Sequence, residues 1–145
     1  MKHILIALCL LLGLSTPALA RQGLLQDPPK LAITRDLDPG QVKTAIIDGA
    51  TKAKWQAREV APGRVEATLD VGNGKHSAKV TIEYDVRSVQ IHYLDSFNLK
   101  YETVSDGRVF IHPNYNKWTA SLAAAIRAQL DQQLPGQVVT TPLAQ

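Results

Sequence analysis

Hydrophobic and polar residues alternate along the middle of the chain, and this pattern predicts β-strands. Hydrophobic residues fall on every second position over residues 65–71, 78–84 and 89–93, and a fourth strand is predicted over residues 54–60. A two-residue period is typical of a strand with one buried face and one wet face. Because only short turns separate these segments, neighbouring strands should run antiparallel.

A spacing of three and four residues between hydrophobic positions predicts one helix before the strands and one after them. The first helix should begin at Asp38, an N-cap residue followed by Pro39 and, at the third helical position, Gln41. Its predicted buried stripe is Val42, Ala45, Ile46, Gly49 and Ala53. The second helix should run from about residue 113 to residue 133. Its predicted buried stripe is Trp118, Leu122, Ala125, Ile126 and Leu130.

These elements predict an α+β fold, an antiparallel sheet of about four strands with an N-terminal and a C-terminal helix packed on one face. The side chains expected at the centre of the core are Trp55, Tyr84, Ile91 and Trp118. The domain should cover residues 38–134, after a leader or linker over residues 21–37 and before a disordered tail over residues 135–145. Residues 97–112 fit either a small hairpin or an ordered loop that ends in a short edge strand.

The first twenty residues have the layout of a secretory signal peptide. A charged start at Lys2 and His3, an apolar run over residues 4–14 and a small-x-small ending predict cleavage after Ala20. The run is too short to span a bilayer, so we expect no transmembrane segment and a periplasmic or secreted mature chain. Cys9, the single cysteine, lies inside the run and would leave with the signal, so neither a disulfide nor a thiol nucleophile is expected.

The net charge and the sequence motifs exclude further classes of function. The formal net charge is +3, and acidic and basic residues are interspersed, so a nucleic-acid partner is not expected. The sequence contains no Gly-x-Ser-x-Gly elbow, and its glycine-rich turn at residues 72–74 lacks the following helix that a dinucleotide site needs. We therefore predict no catalytic residue, no cofactor and no metal ligand.

Three arrangements remain as weaker chemical alternatives. Ser96 near Asp95 and His112 could form the site of a hydrolase. The histidines of the mature chain are His76, His92 and His112. They would share a metal ion only if they met around a sheet edge, since no two of them have the usual ligand spacing. Glu83 and Asp95 on neighbouring strands could serve glycoside hydrolysis, although a solvated sheet face explains both carboxylates.

The pattern of polar and aromatic residues between positions 93 and 118 resembles that of a protein family. It reads Tyr-x-Asp-Ser-x-Asn-Leu-x-Tyr and then Ile-His-x-x-Tyr-Asn-x-Trp, and Trp55, the Pro62-Gly63 turn and residues 76–84 extend it. Over about residues 42–130 the chain resembles a family of small secreted proteobacterial proteins, many of which look like lipoproteins. This chain lacks a usable lipid-attachment cysteine. The resemblance implies two helices on an antiparallel sheet and no assigned activity.

The same pattern contains the candidate binding surface, whose members are Tyr93, Ser96, Asn98, Tyr101, His112, Tyr115 and Asn116. Tyrosine and asparagine combine broad contact area with adaptable hydrogen bonds, which is typical of binding surfaces. A structural role is the alternative for each member. His112 or Asn114 could cap the last helix, Asn116 could bond a preceding loop, and Tyr115 could pack beneath that loop.

The expected function is that of a small, non-enzymatic binding or interaction module of the bacterial envelope. Its partner would be another envelope protein, bound on the wet sheet face or at a free sheet edge by strand addition. The first alternative is a small-ligand carrier with a pocket between helices and sheet lined by Trp55 and Trp118. The second is the hydrolase with Ser96, and the sequence identifies neither ligand nor oligomeric state.

Overall fold

The computed structural model describes residues 22–136 and shows two helices with two antiparallel sheets. The elements are β1 (Gly23–Leu24), β2 (Leu31–Ala32), α1 (Pro39–Lys52), β3 (Gln56–Ala61), β4 (Arg64–Val71), β5 (His76–Tyr84), β6 (Ser88–Phe97), β7 (Glu102–Thr103), β8 (Val109–Ile111) and α2 (Asn114–Gln132). The larger sheet has the order β2-β6-β5-β4-β3, and the smaller has the order β1-β8-β7. The α+β class is confirmed, but one sheet of about four strands is too simple. The predicted signal peptide with its cleavage at Ala20 lies outside the described residues, as do residues 137–145 of the predicted tail.

Helix α1 begins as its sequence predicts, with a reciprocal capping box. The Asp38 carboxylate accepts a hydrogen bond from the Gln41 backbone N–H at 2.9 Å, and the Gln41 side chain accepts one from the Asp38 N–H at 3.1 Å. Four residues of the predicted stripe are buried, whereas Ala53 follows the last helical residue as the C-cap. Gly49 lies where α2 comes closest, because a Cβ at this position would be 2.6 Å from the Ile126 Cα.

Helix α2 buries a face that is rotated from the predicted one. Leu122, Ile126 and Leu130 are buried as expected, whereas Trp118 and Ala125 are only half-buried. Their places in the core are taken by Tyr115, Thr119 and Ala123. Ile126, which belongs to both the predicted and the observed face, is the residue that approaches Gly49 of α1. Within residues 22–136, neither helix is long and apolar enough to cross a membrane.

One packed core lies between the two helices and the inner face of the five-stranded sheet. The four consecutive strands β3–β6 are confirmed, and the buried hydrophobic residues of β4, β5 and β6 form one cluster with those of α1 and α2. Trp55 and Ile91 are each 2% exposed and belong to this core as predicted. The expectation for Tyr84 and Trp118 is wrong, since both are only partly buried at its edge. The Tyr84 hydroxyl instead donates a hydrogen bond to Glu59 at 2.9 Å.

Strand β6 contains a β-bulge that interrupts the predicted alternation. Val80 of β5 is opposite Tyr93, but the preceding residue Lys79 is opposite Asp95, so Leu94 is an extra residue on β6. A bulge of this kind shifts the following side chains to the other face of a sheet. Ser96 is therefore opposite the fully buried Ala78, on the inner face, and Phe97 turns to the outer face.

The two segments without a clear period are also ordered parts of the fold. The segment that we predicted as a loose leader or linker supplies β1, which pairs with β8, and β2, which pairs with β6. It also buries Ile33 and Leu37 in the core. Strands β7 and β8 pair antiparallel, so residues 97–112 contain the hairpin rather than a loop with one edge strand. Strands of two or three residues are too short to show a period in the sequence, so they are recognised only from the strands with which they pair.

Candidate functional site

Four members of the predicted binding surface come together beside β6. Tyr93 stacks on Tyr101 with ring centroids 4.7 Å apart, and it meets Tyr115 edge to face at 5.5 Å. The Tyr93 hydroxyl and the Ser96 Oγ share a hydrogen bond of 3.0 Å. The bulge in β6 makes this bond possible, because it brings Ser96 to the same face as Tyr93. We call Tyr93, Tyr101 and Tyr115 the tyrosine cluster.

The tyrosine cluster is buried to different depths, and this decides what it can do. Tyr115 is fully buried, and its hydroxyl has no hydrogen-bond partner within the described part of the chain. Burial, with a smaller contribution from the charge of Asp27, raises the pKa of the Tyr115 phenol far above its ordinary value. Burial also raises the pKa of Tyr93. Both phenols therefore stay protonated near neutral pH, and only Tyr101, which is 45% exposed, offers a ring face to a partner.

Asn98 and His112 hold turns in place. Asn98 has a left-handed backbone with φ 56°, and its side-chain amide donates to the Lys75 carbonyl at 3.0 Å. The Nδ1 of His112 accepts a hydrogen bond from the Asn114 backbone N–H at 3.2 Å, at the start of α2. The bond satisfies a backbone N–H in the first turn of α2, but the N-cap residue is Pro113 and no side chain makes a regular cap bond there. The predicted surface is thus divided among separate places rather than forming one patch.

Asn116 connects the first turn of α2 to the N-terminal segment. Its side-chain amide donates to the Leu24 carbonyl at 2.7 Å, and its Oδ1 accepts from the Gln26 backbone N–H at 3.1 Å. One asparagine side chain therefore satisfies a donor and an acceptor of a segment that has little regular structure of its own. Asn116 contributes to the fold through these two bonds.

Replacing Asn116 with Ala should release the segment around Gln26. We expect the Gln26 amide hydrogen to exchange faster, because it loses its acceptor, and the free energy of unfolding to fall by about 1 kcal/mol. Amide hydrogen exchange by NMR and urea unfolding measure both effects. Lys117→Ala, an exposed neighbour on α2, is the matched control and should change neither. Unchanged exchange at Gln26 in Asn116→Ala would show that other contacts hold the segment.

Asp27 has a structural role that was not predicted from the sequence. Its carboxylate accepts a hydrogen bond from the Tyr93 backbone N–H at 3.1 Å and pairs with His92 Nδ1 at 2.9 Å. Strand β2 pairs with β6 only at Val89 and Ser88, so Asp27 satisfies a backbone donor farther along β6 where strand pairing has ended. The neighbouring prolines favoured a linker interpretation, and no local signal indicated that the carboxylate reaches β6.

The hydrolase arrangement is not assembled in the structure. The Ser96 Oγ is bonded to Tyr93, and the Ser96 backbone N–H donates to Asp95 at 2.8 Å. The His112 Nδ1 is occupied by the Asn114 N–H, and over residues 22–136 no hydrogen bond joins His112 to Ser96. A serine hydroxyl without an adjacent base is a weak nucleophile. These bonds favour a structural role for Ser96.

The other two chemical alternatives are also separated in space. Glu83 lies opposite Gln90 and Asp95 opposite Lys79, so the two carboxylates are four residues apart along the sheet, about 13 Å. That separation exceeds the range of both glycosidase geometries. Glu83 instead faces Arg64 at 3.7 Å. In the described ranges no group of three or more His, Cys, Asp or Glu side chains could hold a metal ion.

The three histidines fall in two places. His92 lies on the outer face and pairs with Asp27, whereas His76 and His112 line one small pocket of about 110 Å³. Trp118 also lines this pocket, but Trp55, with which it was predicted to form a carrier pocket, belongs to the packed core. We call this space, formed by Val71, His76, Leu99, His112, Asn114 and Trp118, the histidine pocket.

The outer face of the five-stranded sheet is not covered by either helix, since the core lies on its inner face. Two shallow depressions lie on it, of about 570 Å³ beside Arg64, Glu83 and Gln90 and about 400 Å³ beside Thr68 and Leu94. The two most exposed hydrophobic side chains of β6 are on this face, Phe97 at 62% and Leu94 at 43%. We call Leu94 and Phe97 the bulge patch.

Comparison with known proteins gives no match to a family model, to a curated protein or to a solved structure. The resemblance carried by residues 93–118 therefore stays a prediction. The function has to be inferred from the geometry of the chain itself.

Proposed function

We propose that this chain is a non-enzymatic interaction module of the bacterial envelope, working in the periplasm or outside the cell after removal of its signal peptide. Its partner is a protein that docks on the outer face of the five-stranded sheet. The observation that carries this proposal is the bulge in β6, which places the bulge patch in water. Bulges often re-aim side chains at functional surfaces.

The exposure of Phe97 is a consequence of the bulge and not of the amino-acid pattern. Val89, Ile91 and Tyr93 point inward, so strict alternation would also bury Phe97 and expose Ser96. The extra residue reverses the two, so that a small polar side chain points inward and an aromatic ring faces solvent. An unbulged strand would bury the Phe97 ring, but it would also turn Asp95 inward, opposite the fully buried Ala78, and an unpaired buried carboxylate is costly. The bulge therefore keeps a carboxylate out of the core and leaves an aromatic ring available to a partner on the outer face.

The surroundings of the bulge patch fit a neutral protein partner. Arg58 pairs with Glu66 at 3.5 Å and Arg64 with Glu83 at 3.7 Å, so these outer-face charges largely cancel. The uncharged half-buried side chains between them are Thr68, Ser77, Thr81 and Gln90. An apolar anchor within a polar, hydrogen-bonding rim is the usual anatomy of a protein interface.

The free edge of β3 is less suited to strand addition than the outer face is to docking. The pairing of β3 with β4 shifts register between Glu59 and Ala61, and this irregularity disturbs the row of backbone groups that an added strand would need. Arg58 and Glu59 also place charges along this edge. Bulges and charges are the devices by which natural sheets block pairing at an edge.

An amide NMR titration of residues 21–145 with an envelope extract tests the proposal. The extract is divided by size into a protein fraction and a small-molecule fraction. We expect the protein fraction to broaden the resonances of Lys79, Leu94 and Phe97 first. The double variant Leu94→Ser, Phe97→Ser should lose this broadening, because both apolar anchors are gone.

Val86→Ser is the matched control, since Val86 is 36% exposed on a turn away from the bulge patch. It should respond to the protein fraction like the unmodified chain. Broadening that persists in the double variant would contradict the proposed surface. Shifts that occur only with the small-molecule fraction would favour the carrier alternative.

A further inference from the structure

The histidine pocket is lined from the inner face of the five-stranded sheet, whereas the bulge patch is on its outer face. It forms where the start of β5, the turn after β6 and the first turn of α2 meet. Its volume of about 110 Å³ equals the share of three to four water molecules in the liquid, at roughly 30 Å³ each. Val71, Leu99 and Trp118 supply apolar walls, and His76 and His112 are the titratable residues of the lining. The pocket therefore admits a small group and not a drug-sized ligand.

Hydrogen bonds to the fold determine which ring nitrogen of each histidine carries the proton. The Nδ1 of His76 lies 3.0 Å from the Asn98 carbonyl oxygen, which can only accept, so this Nδ1 is protonated and Nε2 keeps a lone pair in the neutral ring. The Nδ1 of His112 accepts from the Asn114 N–H, so in the neutral ring its Nε2 carries the proton. The two histidines are therefore opposite tautomers.

Because the fold occupies both Nδ1 atoms, Nε2 is the ring nitrogen that each histidine has left for a ligand, an acceptor on His76 and a donor on His112. A divalent metal would need a lone pair from both rings, and the lone pair of His112 is already directed at the Asn114 N–H. A carboxylate has acceptors only and would leave His76 Nε2 without a donor. A primary carboxamide has an N–H for His76 and a carbonyl oxygen for His112, and its flat face matches an aromatic wall such as Trp118.

We propose that the histidine pocket binds a primary carboxamide, with its N–H on His76 Nε2 and its carbonyl oxygen on His112 Nε2–H. The carboxamide can come from a free small amide or from an Asn or Gln side chain of a peptide. This inference does not depend on the docking surface proposed above. It makes the chain a binder of a defined chemical group at a second place.

The tautomers can be tested directly. Long-range ¹H–¹⁵N spectra of the imidazole rings at pH 8 should show His76 protonated at Nδ1 and His112 at Nε2. This measurement uses the unmodified chain, so it does not depend on the folding of any variant. The same tautomer in both rings would overturn the proposal.

Binding is tested by titrating acetamide, with acetate as a ligand of the same shape that lacks the N–H donors. At pH 8 we expect acetamide to shift the ring resonances of His76 and His112 with a dissociation constant in the millimolar range, as suits a ligand of four heavy atoms. Acetate should shift neither. Equal binding of the two ligands, or no shift with acetamide at a concentration on the order of 100 mM, would overturn the proposal. Zn²⁺ that binds both rings while acetamide binds neither would replace it with a metal site.

Replacing either pocket histidine with asparagine removes the Nε2 that would contact the ligand. It keeps a side-chain group that can replace Nδ1 in its hydrogen bond to the backbone. In His76→Asn the side-chain amide can still donate to the Asn98 carbonyl, and in His112→Asn the side-chain oxygen can still accept from the Asn114 N–H. Each variant loses the Nε2 contact, so acetamide affinity should fall about tenfold. His92→Asn, the matched control on the outer face, should bind like the unmodified chain. Unchanged affinity in both pocket variants would contradict the proposal.

Titration of a second ligand distinguishes the two sources of the carboxamide. N-acetylglutamine N-methylamide presents the same group at the end of a peptide-like side chain. Tighter binding than acetamide would identify an Asn or Gln side chain of a protein as the source, and weaker binding would identify a free small amide. Both results support the carboxamide chemistry.

Discussion

Replacing Tyr115 with Ala should lower the free energy of unfolding by about 3–5 kcal/mol, the usual cost of removing a buried aromatic ring. Tyr115 is fully buried and meets Tyr93 edge to face at 5.5 Å, so the truncation leaves a cavity and removes an aromatic contact. Urea unfolding of residues 21–145 measures the change. A loss below about 1 kcal/mol would show that the core closes around the missing ring.

Tyr115→Phe is the matched variant, because it keeps the ring and removes only the hydroxyl. Within residues 22–136 this buried hydroxyl has no hydrogen-bond partner, and an unsatisfied buried polar group costs about 1–3 kcal/mol. We therefore expect Tyr115→Phe to be at least as stable as the unmodified chain. A clear loss of stability in this variant would show that the hydroxyl has a partner.

The same pair of chains should differ at alkaline pH. Burial, supported by the charge of Asp27, raises the pKa of Tyr115 in the folded chain, whereas the unfolded chain ionises near the ordinary value of about 10. Deprotonation therefore favours the unfolded state. The contribution of Tyr115 is fully present below pH 10 and is lost progressively as the pH rises above it. Between about pH 9 and pH 11, where tyrosine side chains ordinarily ionise, the free energy of unfolding should fall less steeply with pH in Tyr115→Phe than in the unmodified chain.

Gly49→Ala should lower the free energy of unfolding by about 1–3 kcal/mol, although alanine is the better helix former. The added Cβ would lie 2.6 Å from the Ile126 Cα and 2.8 Å from its backbone nitrogen, so the two helices must move apart. The backbone atoms of Ile126 cannot move away from the added Cβ as the end of a flexible side chain could. Thermal or urea unfolding of the variant checks the expectation.

Thr44→Ala provides the comparison on the exposed face of the same helix. It changes helix propensity without approaching α2, so its stability should stay within about 0.5 kcal/mol of the unmodified chain. If Gly49→Ala were equally neutral, the close approach of α2 to Gly49 would not contribute to the stability of the core.

Local sequence signals were sufficient for the helices and the long strands. Asp38 and Gln41 form the capping box that their spacing predicts, and the two-residue period of β4 and β5 matches the buried side of the sheet. Caps, turns and periods act over a few neighbouring residues, so the amino-acid order alone can encode them. The candidate site was only partly predictable, because Tyr93, Ser96, Tyr101 and Tyr115 meet while Asn98, His112 and Asn116 serve separate turns and contacts.

The tertiary structure decided what depends on contacts between distant residues. The bulge that exposes Phe97 depends on the register between β5 and β6, and the face that α2 buries is rotated from the one that its own period predicts. Asp27 finds its partners 65 and 66 residues away, so no local pattern could indicate its role. The amino-acid sequence by itself therefore determined the two helices and the four long strands, whereas packing between them determined the short strands β1 and β2 and which side chains face the core, the solvent or a pocket.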